Sequence, residues 1–308
     1  MTNIMNINAS LECKDVTHHF MSTNIRKQLL LIKEISYILI EQIGKGHYGV
    51  VHSASNTLNN CIYAIKITKK RLQSNYDEII MYKELVKDKN YSKYIAKLHH
   101  IFEINEHYYI VMDYINGCYF DNKFFNEKIT TIEELIKLLK KIIKIVDYIH
   151  KKNLIINDMK PENLIITEDL NPTLIDVGLI TSINNKEHYM KGTPMYFPPE
   201  SFEKICSFQK KDIWMLGAIL VKFIAKEYPL QDCIYESGLF YKFNINDLEK
   251  TLNTTKYLYF KKTLLKFGSS DSSLKKLSCL WIIIKKCFNI NFEERPSISK
   301  LLKHKVFL

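Results

Sequence analysis

The hydropathy pattern of this chain predicts an α+β protein, with a small β-rich first part and a larger, mainly helical second part. Three observations predict it. Between residues 36 and 115 short apolar runs alternate in the manner of strands, punctuated by turn residues. From Thr131 onward apolar residues recur at helical spacing. Within the helical part lies a loop, residues 153–166 (NLIINDMKPENLII), whose polar centre is flanked by Leu154-Ile155-Ile156 and Leu164-Ile165-Ile166. Buried anchors on both sides would present Asp158, Lys160 and Asn163 rigidly, so the stretch reads as an active-site loop.

Length and composition set the bounds. At 308 residues the chain can bury a large core and form two lobes. Hydrophobic and charged contents of 46% and 25% are ordinary for a soluble globular protein. The sequence has no secretory signal pattern and no apolar run of the roughly 20 residues a membrane span needs. Seven scattered cysteines lack C-x-x-C or metal-ligand spacing and read as reduced thiols of a cytoplasmic or nuclear protein. The net charge of +11 invites a nucleic-acid partner, but only three of the 44 basic residues are arginine (Arg26, Arg71, Arg295). Base and bidentate phosphate readers rely on arginine, and the lysines are spread along the chain, so nucleic acid is set aside as a partner.

Residues 1–36 are polar and weakly patterned and read as a flexible tail with a docking turn in KQLLLIKE. The strands begin with SYILIEQI. Residues 43–51, Ile43-Gly44-Lys45-Gly46-His47-Tyr48-Gly49-Val50-Val51, form a G-x-G-x-x-G-x-V. Alone it would fit a dinucleotide-binding turn, but that fold wants a helix straight after the glycines, and here a strand follows. The glycines therefore cap a hairpin, whose backbone N–H groups could lie over phosphates. In CIYAIKI, Ala64 and Lys66 share a face, and Val51 is expected to meet Ala64 across the sheet. A lysine on such a surface is costly unless paired with anions. Ser74 reads as the N-cap of the helix DEIIMYKELVK, whose Glu78 is the expected partner of Lys66, with Glu84 as the fallback. Two further strands, KLHHIFEI and HYYIVMDY, end at Met112-Asp113-Tyr114-Ile115, where the chain passes to a second lobe.

Thr131 and Glu134 make a capping box for a helix with Ile132, Leu135, Ile136, Leu139, Ile142, Ile143, Val146 and Ile149 on a wide buried stripe. The loop 153–166 follows, then a hairpin LIIT-EDLNP-TLI leading to Asp176-Val177-Gly178, a good position for a metal ligand. Residues 179–191 read as a mobile loop. Gly192-Thr193-Pro194-Met195-Tyr196-Phe197-Pro198-Pro199-Glu200 and Lys211-Asp212-Ile213-Trp214 come next. The remainder reads as helical, with a break at 268–273 and a closing Glu294-Arg295-Pro296.

In this order the segments resemble the eukaryotic protein kinase catalytic domain over about residues 37–308. The resemblance implies a bilobal kinase fold, with an N-lobe at about 37–115 and a C-lobe at about 116–308, and ATP and Mg2+ as cofactors. It implies that residues 43–51 cover ATP, with Ile43, Val51 and Ala64 against the adenine and Lys66, paired with Glu78, on the phosphates. Met112 would be the gatekeeper, and Asp113 to Ile115 the hinge. Asp158 would accept the substrate proton, Lys160 would neutralise the transferring phosphoryl, and Asn163 and Asp176 would hold metal. Glu200 with Arg295, and Asp212 beneath the catalytic loop, would be structural. Lys160 two residues after Asp158, together with Gly192-Thr193, is similar to the serine/threonine type, so protein Ser/Thr hydroxyls are the expected substrates. Tyrosine as a second acceptor stays open, and so does oligomeric state.

Three positions depart from the family pattern. His-Arg-Asp is replaced by Ile156-Asn157-Asp158, the usual Phe by Val177, and the usual Ala by Pro198. Without the arginine, no dependence on an activation-loop phosphate is expected. Ile156 and Val177 should still pack in a buried spine with Tyr82 and Leu98. The Gly-Thr-x-x-Tyr-x-Pro-Pro-Glu form also resembles the monopolar-spindle (spindle-checkpoint) kinases. The alternative is a pseudokinase scaffold, which predicts loss of Lys66, Asp158 or Asp176, and all three are present.

Overall fold

A computed structural model describes residues 4–5, 18–20, 28–32, 35–46, 49–70, 73–120, 127–185, 190–225, 234–237, 240–243, 247–248, 250, 266–267 and 270–308. The chain divides into two compact units, Met1–Asn116 with Asp176–Gly178, and Gly117–Ile175 with Leu179–Leu308.

The first unit is built on an antiparallel sheet. Its strands are β1 (Ile4–Met5), β2 (His18–Phe20), β3 (Gln28–Ile32), β4 (Ile35–Gly46), β5 (Gly49–Asn56), β6 (Ile62–Lys69), β7 (Leu98–Ile104) and β8 (His107–Asp113), in the order β1-β7-β8-β6-β5-β4-β3-β2. Alternation along β4 decides which side faces in. Tyr37 and Leu39 are buried and Ile40 is half exposed. They pack with Ala54, Ile65, Phe102, Ile104, Tyr109 and Val111 in one apolar cluster. Pieces of the stretch expected to be a tail join the sheet, with β3 pairing β4 from Leu29↔Ile38 to Ile32↔Ile35. The apolar run Leu29-Leu30-Leu31-Ile32 has strand propensity, and the edge of β4 offers it unpaired backbone groups.

One helix, α1 (Gln73–Leu85), follows β6 and buries Glu78, Ile79, Tyr82 and Leu85. It starts at Gln73, so Ser74 stands inside its first turn and not ahead of it as the cap; helix ends are the feature a sequence places least well. Direct pairing across β5 and β6 is Val51↔Lys66 and Ser53↔Ala64. Val51 and Ala64 are therefore diagonal neighbours, one step out from the expected register. The pairing of β4 with β5 carries two register shifts, at Leu39/Glu41 and Gln42/Gly44.

The second unit is mainly helical. After β9 (Cys118–Tyr119) comes α2 (Ile132–Lys151), opened by the expected capping box, with Thr131 accepting from the Glu134 N–H and the Glu134 side chain accepting from Thr131. Of its expected stripe only Ile136 is half exposed, and Leu138 and Ile145 are buried in addition. Asn153, with φ +57°, turns the chain out of α2. It leads to β10 (Leu154–Ile155), the catalytic-type loop, β11 (Leu164–Ile166) and β12 (Pro172–Leu174). The expected hairpin is present, paired from Leu164↔Leu174 to Ile166↔Pro172.

The stretch 179–191 is not all loop. Its strand β13 (Thr181–Ser182) pairs antiparallel with β10. Two further helices follow, α3 (Pro199–Phe202) and α4 (Gln209–Ala225), and residues 211–221 of α4 are buried on every side. The remainder is not wholly helical either. Strands β14 (Ile234–Ser237) and β15 (Phe240–Phe243) pair as a hairpin before α5 (Asp271–Cys287) and α6 (Ile298–Leu302). Aromatic and β-branched residues at 234, 235, 240, 241 and 243 favour strand over helix there. Ser270 caps α5 through the Ser273 N–H. The helices α4 and α5 approach closely at Gly217, where an added Cβ would come within 2.8 Å of the Cys287 Cβ. Among the described residues, no helix is long and apolar enough to cross a membrane.

Candidate active site

The first unit carries a paired lysine. Lys66 leaves β6 on its buried face, and its Nζ donates to both Glu78 oxygens at 2.8 Å and to Asp176 Oδ1 at 3.3 Å. Burial pulls the Lys66 ammonium down, but Glu78 and Asp176 more than reverse this and its pKa is raised. Glu78 is itself wholly buried, and loss of solvation pushes its carboxyl up to about 7 against the pull of Lys66. Glu84, the fallback, is exposed and pairs with Lys87. Asp176 also accepts from the Gly178 N–H at 2.8 Å, which fixes its side chain over its own turn.

The glycine hairpin β4–β5 closes at Gly46↔Gly49, with His47 and Tyr48 at its tip outside the described residues. Gly49 is required by the fold, because a Cβ there would meet the Ile67 carbonyl at 2.3 Å. Gly46 is not, because a Cβ there would meet nothing within 4 Å, and at Gly44 only Val51 at ordinary contact. Packing within the protein therefore does not explain these two glycines, whereas close approach of a phosphate to the backbone would. Lys45 is exposed, and Ile43, Val50 and Val51 are half-buried beside the buried Ala64.

At the end of β8 Met112 is buried, and Tyr82 donates its hydroxyl to the Met112 Sδ at 3.8 Å. The Asp113 N–H is spent on the Lys97 carbonyl at 2.9 Å, and its carboxylate bonds His99. Its carbonyl is thus the backbone atom it could offer a ligand. Ile115 is half-buried. Tyr82, Leu98 and Val177 are buried in this unit, as Ile156 is in the other.

The second unit holds the loop around Asp158. A buried pair, Asp212 and His150, supports its backbone. Asp212 on α4 accepts from the Ile156 N–H at 2.7 Å and the Asn157 N–H at 2.9 Å, and His150 of α2 bonds the same carboxylate at 2.9 Å. Asn157 has φ +65°, and its amide donates to the Leu179 carbonyl and to Thr181 Oγ1, both at 2.8 Å. This ties the loop to the start of the 179–191 segment where the usual arginine would meet a phosphate.

Asp158 is about nine-tenths buried and fully engaged. Thr193 donates its hydroxyl to Oδ1 at 2.7 Å, while Lys160 and the Asn163 amide reach Oδ2 at 2.7 and 3.1 Å. Lys160 also donates to Thr193 Oγ1 at 3.0 Å, so the hydroxyl bridges lysine and carboxylate. Gly192 permits this approach. Its φ is +116° and a Cβ there would strike the Asn157 carbonyl at 2.1 Å. The Asn163 nitrogen is spent on Asp158, which leaves the amide oxygen as the atom it would offer a cation. Each unit thus carries one hard oxygen donor of the kind magnesium takes, the Asp176 carboxylate in the first and the Asn163 amide oxygen in the second. Among the described residues, no group of three or more His, Cys, Asp or Glu is arranged to hold a metal.

Beneath this loop Arg295 and Glu200 form the expected buried pair, with Nη2 donating to Oε2 at 2.7 Å and Nε to the Asn289 carbonyl. The guanidinium also lies 4.8 Å from the Trp214 ring. Sequence reasoning left Thr193, His150 and Lys211 without site roles. A threonine beside a glycine and a histidine on an apolar face carry no local signal of what they bond.

A glycine hairpin above a doubly paired lysine, and a separate helical unit presenting an Asp-Lys-Asn loop, define the architecture of a protein kinase. Residues 37–307 match the protein kinase domain family model, and the chain belongs to that family. It is 28% identical over 277 residues to calcium-dependent protein kinase 5 of Plasmodium berghei, covering 87% of this chain and 45% of that protein. It is 33% identical over 207 residues to CBL-interacting protein kinase 15 of Oryza sativa subsp. japonica, covering 63% and 47%. Mouse serine/threonine-protein kinase PLK2 is 24% identical over 275 residues, covering 86% and 36%. The chain spans less than half the length of these relatives.

Proposed function

We propose that this chain is an active serine/threonine protein kinase that transfers the γ-phosphoryl group of ATP to protein hydroxyls. The observation that carries the reading is the state of Asp158. Both of its oxygens are held, one by the Thr193 hydroxyl and one by Lys160 and Asn163, so a carboxylate stands oriented to take a hydroxyl proton. Lys66, kept charged by Glu78 and Asp176, would grip the phosphates, and Lys160 would offset charge on the transferring group. Asn163 and Asp176 would hold magnesium, which supplies charge neutralisation at the phosphate oxygens when bound.

Serine/threonine specificity is supported by Lys160, by the Thr193 bridge and by the similarity to the mouse serine/threonine-protein kinase. The spindle-checkpoint reading rests on the Gly192–Glu200 motif and the Ile-Asn-Asp loop. A peptide array would test it together with hydroxyl preference. The pseudokinase alternative predicts loss of Lys66, Asp158 or Asp176, all of which are present, and the phosphotransfer assay decides between the two readings.

The test is magnesium-dependent phosphotransfer by the wild-type chain and by Asp158→Asn. Loss of roughly 10²–10⁴-fold in the variant is expected, the range a positioned base contributes. Equal rates in the two proteins would overturn the catalytic reading.

A further inference from the structure

Lys211 is out of place by ordinary chemistry. It follows Lys210 near the start of α4, where a pair of lysines reads as a solvated helix end. Lys210 is half exposed and bonds the Glu293 carbonyl, but Lys211 is 1% exposed. Lysine is almost never fully buried without a specific partner. Here the Nζ donates to the backbone carbonyl of Lys191 at 2.6 Å and lies 4.6 Å over the ring of Phe197. Those two contacts bracket residues 191–197, the stretch that contains Gly192 and Thr193. Burial drives the ammonium down to about 7, while Asp212 on its own helix, Asp158 in the loop, Glu200 of α3 and Cys206 hold it up.

The geometry points to Lys211 as a positioning residue for phosphoryl transfer. It fixes the Lys191 carbonyl and the Phe197 ring, and thereby the place of the Thr193 hydroxyl between Asp158 and Lys160. Lys211 reaches that segment from α4 with a charged donor, while Asp212, the next residue, fixes the loop opposite. One helix thus holds both sides of the Asp158–Thr193 bond. Rotating or dropping residues 191–193 by one bond length would take the 2.7 Å hydrogen bond out of range.

The inference rests on the kinase reading, and the experiment separates the two. Lys211→Met keeps the length and removes both charge and donor; Lys211→Arg keeps a donor. The variants, the wild-type chain and Asp158→Asn are assayed for transfer from magnesium-ATP to a peptide substrate, with melting temperature and nucleotide affinity measured alongside. The expected result for Lys211→Met is a fall in kcat on the order of tenfold or more, the scale of a misplaced catalytic contact. ATP affinity should be unchanged and the melting temperature equal or higher, because a buried charge has been replaced by an apolar chain. Lys211→Arg should recover part of the rate. A merely structural lysine would lower stability and leave kcat alone. Wild-type turnover matched by Lys211→Met would overturn the inference, whereas wild-type turnover matched by Asp158→Asn would overturn the kinase reading beneath it. Should neither Lys211 variant fold, hydrogen exchange of the wild-type chain decides. The Tyr196 and Phe197 amides, bonded to the Thr193 and Pro194 carbonyls, should exchange as slowly as those of α4. Rapid exchange there would overturn the proposal.

Discussion

Lys66 and Glu78 show what a single buried pair requires. The lysine sits in an apolar strand only because two carboxylates meet it, and one of them pays a protonation penalty for being there. The folded Glu78 carboxyl at about 7 lies above its ordinary 4.5, so the fold binds that proton more tightly than the unfolded chain does. Its contribution to stability is therefore full below about 4.5 and is lost as pH rises through about 7. The form that pairs with Lys66 follows the opposite course and dominates only above about 7. Turnover is expected to rise between pH 6 and 8, and Glu78→Gln should flatten that rise at a much lower rate. A rate profile of the variant that keeps the wild-type slope would show that some other group titrates. Asn157 works at the same scale. Its amide makes two 2.8 Å bonds from a left-handed backbone, which asparagine tolerates better than most residues.

At the scale of elements, the bonds of Asn157 change what its segment needs. The 179–191 stretch contains β13, which pairs with β10 and is tied through Thr181 to Asn157 of the 153–166 loop. Thr181 is part of that tie, so the hydroxyls of the segment are not equivalent. Replacing Ser182 by Ala and Tyr189 by Phe together should leave turnover within a few-fold of wild type. Thr181→Val and Asn157→Ala should each lower it. Assays on protein treated with phosphatase give the companion readout, and loss of activity there would mean that a phosphate contact is needed after all. The other elements follow local rules. The box at Thr131 starts α2, and Asn153 ends it. At α1 the expected cap, Ser74, lies one residue inside the helix, which begins at Gln73.

At the scale of the whole molecule, one buried ion pair ties together distant parts of the chain within the second unit. Arg295 and Glu200 are 95 residues apart and both buried, and the arginine also stacks on Trp214. Removing one partner strands the other charge. Arg295→Ala is therefore expected to cost about 3–5 kcal/mol, read from urea unfolding. Replacing both residues with apolar ones of similar size should cost less than that single change. A double variant as unstable as Arg295→Ala would mean that the loss lies in packing on Trp214 and not in the orphaned charge.

Much of this is legible in the sequence. Periodicity showed the sheet, the long helix and the hairpin 164–174, because alternation and helical spacing are set by backbone geometry alone. Spacing placed Asp158, Lys160 and Asn163 in one loop, and chemistry demanded an anion for Lys66. Register was less legible. Val51 pairs directly with Lys66 and lies diagonal to Ala64, because alternation says which residues share a face and not which partner each one meets. The hairpin β14–β15 sits in a stretch whose apolar residues fit either period. The sequence by itself determined which residues carry the chemistry and in what order. Only the tertiary structure decided what holds them, the Thr193 bridge, the Asn157 tie and the buried Lys211. Each of these depends on burial and on partners tens of residues away, which no local pattern records.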